Sequence, residues 1–253
     1  MSFSTAWLDL RESADNAARD ASMLADVRAF LAQQPDPVIV DLGSGTGSTL
    51  RAIGEVPARW RLVDHDPALL AEAARRSGPG VETVELDLTR TDDIPLDGAA
   101  LVTASALFDL ASAGWIDALA DRLAASRTGL YAALSYDGVL EWSPADPDDA
   151  TIRNAFNAHQ RGEKGFGPAL GPSGASHLAE AMRRRGYRVT IADSPWKLGP
   201  AETELQRALV TGIADAAREL DVASADAWLR RRLAAASSAH CTVGHLDVLA
   251  LPA

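Results

Sequence analysis

One stretch constrains the fold of this chain more than any other: Val38-Ile39-Val40-Asp41-Leu42-Gly43-Ser44-Gly45-Thr46-Gly47-Ser48-Thr49-Leu50. It opens with a β-branched apolar run, which predicts a buried strand. Three glycines at alternate positions follow, and then a segment able to open a helix. Strand, glycine turn and helix start together make a site for a polar ligand. Glycine lets a molecule approach the backbone, and a helix N-terminus presents free N–H groups. A dinucleotide fingerprint needs glycine at the first, third and sixth positions, but the sixth here is Ser48. What stands instead is Asp-x-Gly-x-Gly-x-Gly, with an acid two residues ahead of the first glycine.

Downstream, strands and helices alternate. A helix of about two turns ends near Gly54, and Arg59–Asp64 reads as the second strand. Asp66-Pro67 then sets an N-cap and a favoured first-turn proline, and this helix runs to Gly78-Pro79-Gly80. An acid closing the second strand, about 20 residues past the glycine turn, suits a ribose, whose two hydroxyls its carboxylate can accept. Asp64 holds that position, with His65 beside it. Val81 to Leu88 alternates as a third strand and Ala99 to Thr103 is the fourth. Trp115 to Leu123 is the next helix and Gly129 to Ser135 the fifth strand.

The Asp-x-Gly-x-Gly-x-Gly pattern resembles motif I of the class I S-adenosylmethionine (SAM)-dependent methyltransferases. Leu62-Val63-Asp64-His65-Asp66-Pro67 is similar to that family's ribose-binding segment. The resemblance covers about residues 37 to 193 plus the last strand. It implies an α/β fold, with a seven-stranded, mostly parallel, doubly wound sheet whose last strand is antiparallel. It implies SAM as cofactor and S-adenosylhomocysteine as product, with a methyl group passed by direct displacement. The implied cofactor residues are Asp41, Gly43, Ser44, Gly45 and Gly47 in the turn, Asp64 and His65 at the ribose, and Asp87 with Leu88 at the adenine. Ser105, beyond strand four, and Arg19, from an N-terminal helix, complete the set.

That helix reads from about Trp7 to Leu31, with Leu10, Ala14, Ala17, Ala21, Leu24 and Leu31 on one face. Arg11, Asp15 and Arg19 stand four apart on another. They form either a solvated ion-pair stripe or, as the resemblance suggests, part of a lid in which Arg19 or Arg11 meets a carboxylate of cofactor or substrate. The whole chain reads as one domain: an N-terminal lid over 1–34, a cofactor-binding half over 37–135, a substrate lid over 136–174 and a helical insertion over 200–236.

The segment from Tyr136 to Gly174 breaks the alternation, with an acidic turn, a helix from about Thr151 to Arg161 and a Gly/Pro-rich loop. A long irregular insertion of this kind is functional or disordered, and its aromatic and charged residues favour function. His159 and His177 flank the Gly/Pro loop and are the candidates for a general base, with Tyr136 next. Ser176 to Arg185 is helical and Tyr187 to Ala192 is strand six. Helices over Glu202–Leu220 and Ala225–Ala236, the second capped by Ser224, precede the closing strand Gly244–Leu251. This helical pair departs from the family core and pads the substrate side or forms a homodimer surface.

Composition narrows the partners. The net charge of -11 and pI of about 4.9 disfavour nucleic acid. The segment after strand four lacks the Asn/Asp-Pro-Pro-Tyr/Phe tetrapeptide of amino-methyltransferases acting on adenine or glutamine and the Pro-Cys nucleophile of cytosine-C5 enzymes, which points away from nucleobases and to a small-molecule acceptor methylated on O, N or C. A single cysteine, Cys241, permits no internal disulfide, and no apolar run reaches the roughly 20 residues that span a bilayer. With no signal-peptide pattern, the expectation is a cytoplasmic protein. His240, Cys241 and His245 match no common zinc spacing, so no metal is expected. Two other readings stand: a non-catalytic SAM- or nucleotide-binding regulatory module, and an NAD(P)-dependent oxidoreductase, which Ser48 disfavours.

Overall fold

The computed structural model describes residues 3–78 and 80–253. Met1 and Ser2 of the N-terminal segment and Pro79 of the Gly78-Pro79-Gly80 stop lie outside the described residues. Nine α-helices and eight strands form among the described residues, and the strands make one sheet in the order β3-β2-β1-β4-β5-β8-β6, with β7 paired to β8. β1 (Val38–Leu42), β2 (Arg59–Asp64), β3 (Val81–Glu85), β4 (Ala99–Ser105) and the start of β5 (Gly129–Ser143) are parallel. β8 (His240–Pro252) runs antiparallel between β5 and β6 (Tyr187–Asp193), as expected of the closing strand.

β1 shows why the centre of the sheet holds. All five of its side chains are buried, and alternate residues enter opposite cores, as a strand's two-residue period requires. Val38, Val40 and Leu42 join the core under α5 (Ala113–Ser126) and α7 (Gly174–Arg184). Ile39 joins the core under α2 (Ala21–Leu31), α3 (Ser48–Ile53) and α4 (Pro67–Ser77). A third core lies under α6 (Asp149–His159), α8 (Thr203–Glu219) and α9 (Ala225–Ala235), against the outer halves of β5 and β8.

Several expectations are corrected. The N-terminal helix is two: α1 (Thr5–Ala18) ends at Arg19, and Asp20 starts α2 by accepting the N–H of Met23 at 2.7 Å. The sheet has eight strands rather than seven, because Trp196–Leu198 adds the short β7 on β8. Tyr136 to Ser143, where the expected substrate lid begins, is strand. β5 continues through it, with Leu134 (φ 56°) and Gly138 (φ 97°) taking positive φ where the ladder with β8 shifts register. Ser224 stands before α9 but its hydroxyl makes no capping bond. No helix among the described residues is long and apolar enough to cross a membrane.

Candidate active site

The ends of β1, β2 and β4 converge where the strand order reverses between β1 and β4, the place where sheets of this kind bind ligands. A cavity of about 420 Å³ opens there. Its floor is the glycine turn. Gly45 sits at φ +53°, and a Cβ built on it would lie 3.0 Å from Leu8 Cδ1 of α1. Gly47, at φ +82°, is the N-cap that launches α3. Only glycine takes both the left-handed backbone and the close approach of α1 without strain.

Asp64 joins this turn to strand two. One carboxylate oxygen accepts the Gly45 N–H at 2.9 Å and the other the Asp66 N–H at 3.0 Å. His65 Nδ1 lies 3.2 Å from the latter oxygen. A carboxylate has about four lone-pair positions, so two remain beyond these backbone bonds, one of them on the oxygen that His65 faces. Asp87 accepts the Thr89 N–H at 2.9 Å, and this bond holds its carboxyl below the usual range. It is therefore both a turn former and part of the cavity wall. Leu88 beside it is buried, its carbonyl fixed by Trp115 Nε1 at 2.7 Å.

Gly43, Gly45, Asp64, His65, Asp87, Leu88 and Ser105 all line the cavity. Ser44 lines a small adjoining recess with Arg11, and its buried hydroxyl has no partner in the protein. Asp41 lies underneath. It is fully buried, its Oδ1 accepts from Thr103 at 2.7 Å, and burial raises its carboxyl to about 7. Gly47 shapes the turn from behind, facing Arg51, Ser77 and Ala73.

Arg11, rather than Arg19, reaches the cavity. Asp15 anchors it at 2.9 and 3.1 Å while accepting Trp196 Nε1 at 2.9 Å, which ties α1 to β7. Arg19 turns inward at the α1–α2 break. It is 4% exposed, its Nη2 donates to Ser105 at 3.2 Å, and its Nε and Nη1 have no partner. Arg19 thus meets the cavity only through Ser105.

The three acid/base candidates do not line the cavity. Tyr136 donates to Asn157 Oδ1 at 2.7 Å and stacks edge-on with Phe156. His177 faces Asp117 at 3.4 Å across α5 and α7. His159 sits behind the wall, between Glu219 and Lys164. The part of 136–174 that does reach the cavity is Lys164-Gly165-Phe166. This loop is stitched down: Glu163 accepts the N–H groups of Gly165 and Gly167 at 2.8 and 3.0 Å, and Phe166 bridges to Ala111 and packs edge-on against Trp115.

Phe166 falls within the expected substrate lid, whereas the sequence reading missed Leu8, Leu69, Leu107 and Leu110 of the wall, since isolated apolar residues carry no signal beyond core packing. It also missed Asp109, an acid just past the carboxyl end of β4 whose position was a usable signal. Asp109 is buried, one of its oxygens has no partner, and burial raises it to about 6. His245 is similarly buried, and desolvation lowers it to about 3. Among the described residues no three potential metal-ligating side chains converge.

No protein-family model matches the chain, and neither does any curated protein. Solved structures do. A SAM-dependent methyltransferase from Geobacter sulfurreducens, in complex with S-adenosyl-L-homocysteine, aligns over 100% of both chains at 18% identity with a TM-score of 0.50. Geranyl diphosphate methyltransferase, in complex with GPP and sinefungin, covers 91% of this chain and 78% of its own at 15% identity and a TM-score of 0.50. The same enzyme in complex with SAM aligns at 15% identity over 91% and 84%, again with a TM-score of 0.50. The fold is that of the class I SAM-dependent methyltransferases, enlarged by β7 and the α8–α9 pair.

Proposed function

We propose that this protein transfers the methyl group of SAM to a small-molecule acceptor. The observation that carries the proposal is the convergence of the glycine turn, Asp64 and Asp87–Leu88 on one cavity. The residues fit the cofactor: the two remaining carboxylate positions of Asp64 suit a diol, Asp87 with Leu88 suits a flat base with an amine edge, and Arg11 suits a carboxylate. Bound there, SAM supplies an electrophilic methyl on a cationic sulfur. This chain's share of the work is orientation and exclusion of water. Leu8, Leu107, Leu110 and Phe166 wall the cavity with apolar surface.

Likeness to an enzyme solved with its small acceptor supports an acceptor of that size, and the acidic balance of the chain disfavours nucleic acid. The test is calorimetry with S-adenosylhomocysteine and NAD in parallel. S-adenosylhomocysteine is expected to bind and NAD not; tighter binding of NAD would overturn the proposal.

A further inference from the structure

Of the 24 basic side chains in this protein, 22 are arginines and two are lysines, Lys164 and Lys197. Lys164 is the one that lines the cofactor cavity. The distinction is chemical. A guanidinium stays protonated at any physiological pH, whereas a buried amine can give its proton up. Behind Lys164 a chain of polar contacts leads outward. Lys164 Nζ lies 3.2 Å from His159 Nδ1, and His159 Nε2 lies 2.9 Å from Glu219 Oε2. The Glu219 side chain is 69% exposed and that of His159 21%. With Nε2–H donating to the carboxylate, Nδ1 is left to accept from Lys164, so the imidazole can take a proton on one side and release one on the other.

We propose that Lys164, His159 and Glu219 are the route by which a proton leaves the acceptor, with Lys164 touching the acceptor and His159 and Glu219 acting through it. The inference rests on the methyltransferase reading and narrows it to acceptors with a removable proton, a hydroxyl or an ammonium. As the acceptor's bond to the methyl forms and the methyl–sulfur bond breaks, sulfur keeps the electron pair. A hydroxyl's proton passes to the lone pair of neutral Lys164 as the bond to the methyl forms, whereas an ammonium gives its proton to Lys164 first and so frees the lone pair that attacks. The proton then moves to His159 Nδ1, and the Nε2 proton passes to Glu219 and solvent.

The surroundings of Lys164 fit this role. Burial lowers it from the ordinary lysine value of 10.5, while Glu219 and Asp109 pull it part of the way back. Arg11 lines the same cavity from α1, and Asp64, His65 and Asp87 line it from the strand ends. The backbone beside Lys164 is held by Glu163, and the amine itself is held at His159 Nδ1.

The competing role for a cavity lysine is a permanently charged anchor for an anionic acceptor, and titration separates the two. In protein grown with lysine isotope-labelled at Cε, two side-chain signals arise, and Lys197→Arg assigns them. Lys164 is expected to lose its proton below the ordinary lysine value of 10.5. His159→Phe and Glu219→Gln should each move the Lys164 midpoint by about half a unit or more, leaving Lys197 and the affinity for S-adenosylhomocysteine unchanged. A Lys164 midpoint at or above 10.5, or one indifferent to both substitutions, overturns the proton route. Failure of S-adenosylhomocysteine to bind the unaltered protein would instead overturn the methyltransferase reading, which the titration does not touch.

Discussion

At the scale of single residues the site depends on carboxylates with unlike surroundings. Asp64 spends one lone pair of each oxygen on a backbone N–H and has the others left, one of them on the oxygen that His65 faces. Asp64→Asn turns one acceptor into a donor facing those groups. A hydrogen bond to a charged group contributes roughly 1.5–3 kcal/mol, so affinity for S-adenosylhomocysteine should fall about tenfold or more. Calorimetry on a variant whose melting shows it folded measures this; an unchanged dissociation constant would move the ribose contact elsewhere. Asp109 carries a pH signature instead. Its folded value of about 6 lies above the ordinary 3.8. Folding therefore favours its protonated form: that contribution is complete below about 3.8 and is lost as pH rises through about 6. Relative to the native protein, Asp109→Asn should gain stability between pH 4 and pH 7, at most on the order of 2–3 kcal/mol. Urea unfolding at the two pH values gives the difference, and a gap that does not change with pH would remove Asp109 from this role.

At the scale of elements, the N-terminal helix is the piece most specific to this site. α1 places Leu8 on the glycine turn and Arg11 in the cavity, and Asp15 pins it to Trp196 of β7. Deleting residues 1–20 should weaken S-adenosylhomocysteine binding by tenfold or more, on the scale of a lost charged contact and its cover, while far-UV circular dichroism keeps the sheet signal. A folded truncation with native affinity would reduce α1 to packing. The strand–turn–helix units were legible in the sequence because their signals are local: the apolar run of β1, the alternate glycines, the Asp66-Pro67 cap. β5 beyond Ser135 was not, because Asp137-Gly138 reads as a turn. In the fold it is a kink inside a strand, made tolerable by its pairing with β8. His159 was legible as an interesting residue but not its place behind Lys164, since that depends on α8, some 60 positions further on.

At the scale of the molecule, the question is whether the third core is an appendage or part of one folding unit. Trp228 of α9 is fully buried, donates to Asp149 at 2.8 Å, and meets Trp142 of β5 edge-on at 5.3 Å. Arg232 lies 5.2 Å over the Trp142 ring and pairs with the same Asp149. Trp142 lies on the outer half of a strand whose inner half, at Leu130 and Ala132, belongs to the core beside the cavity. β8 links the cores in the same way, through Val243 at one end and Val248 at the other. Two continuous strands thus run through both cores, and neither can melt without breaking a ladder the other needs. Trp228→Ala, which leaves a large cavity and strips a partner from Asp149, should cost about 3–5 kcal/mol. At this chain length that lowers the melting temperature by several degrees or more. Because no residue of α9, β5 or β8 lines the cofactor cavity, the affinity for S-adenosylhomocysteine should hold. Tryptophan fluorescence and far-UV circular dichroism should report one coincident transition in both proteins. A separate early fluorescence transition in the variant, with the sheet signal intact, would show instead that α8 and α9 fold on their own account.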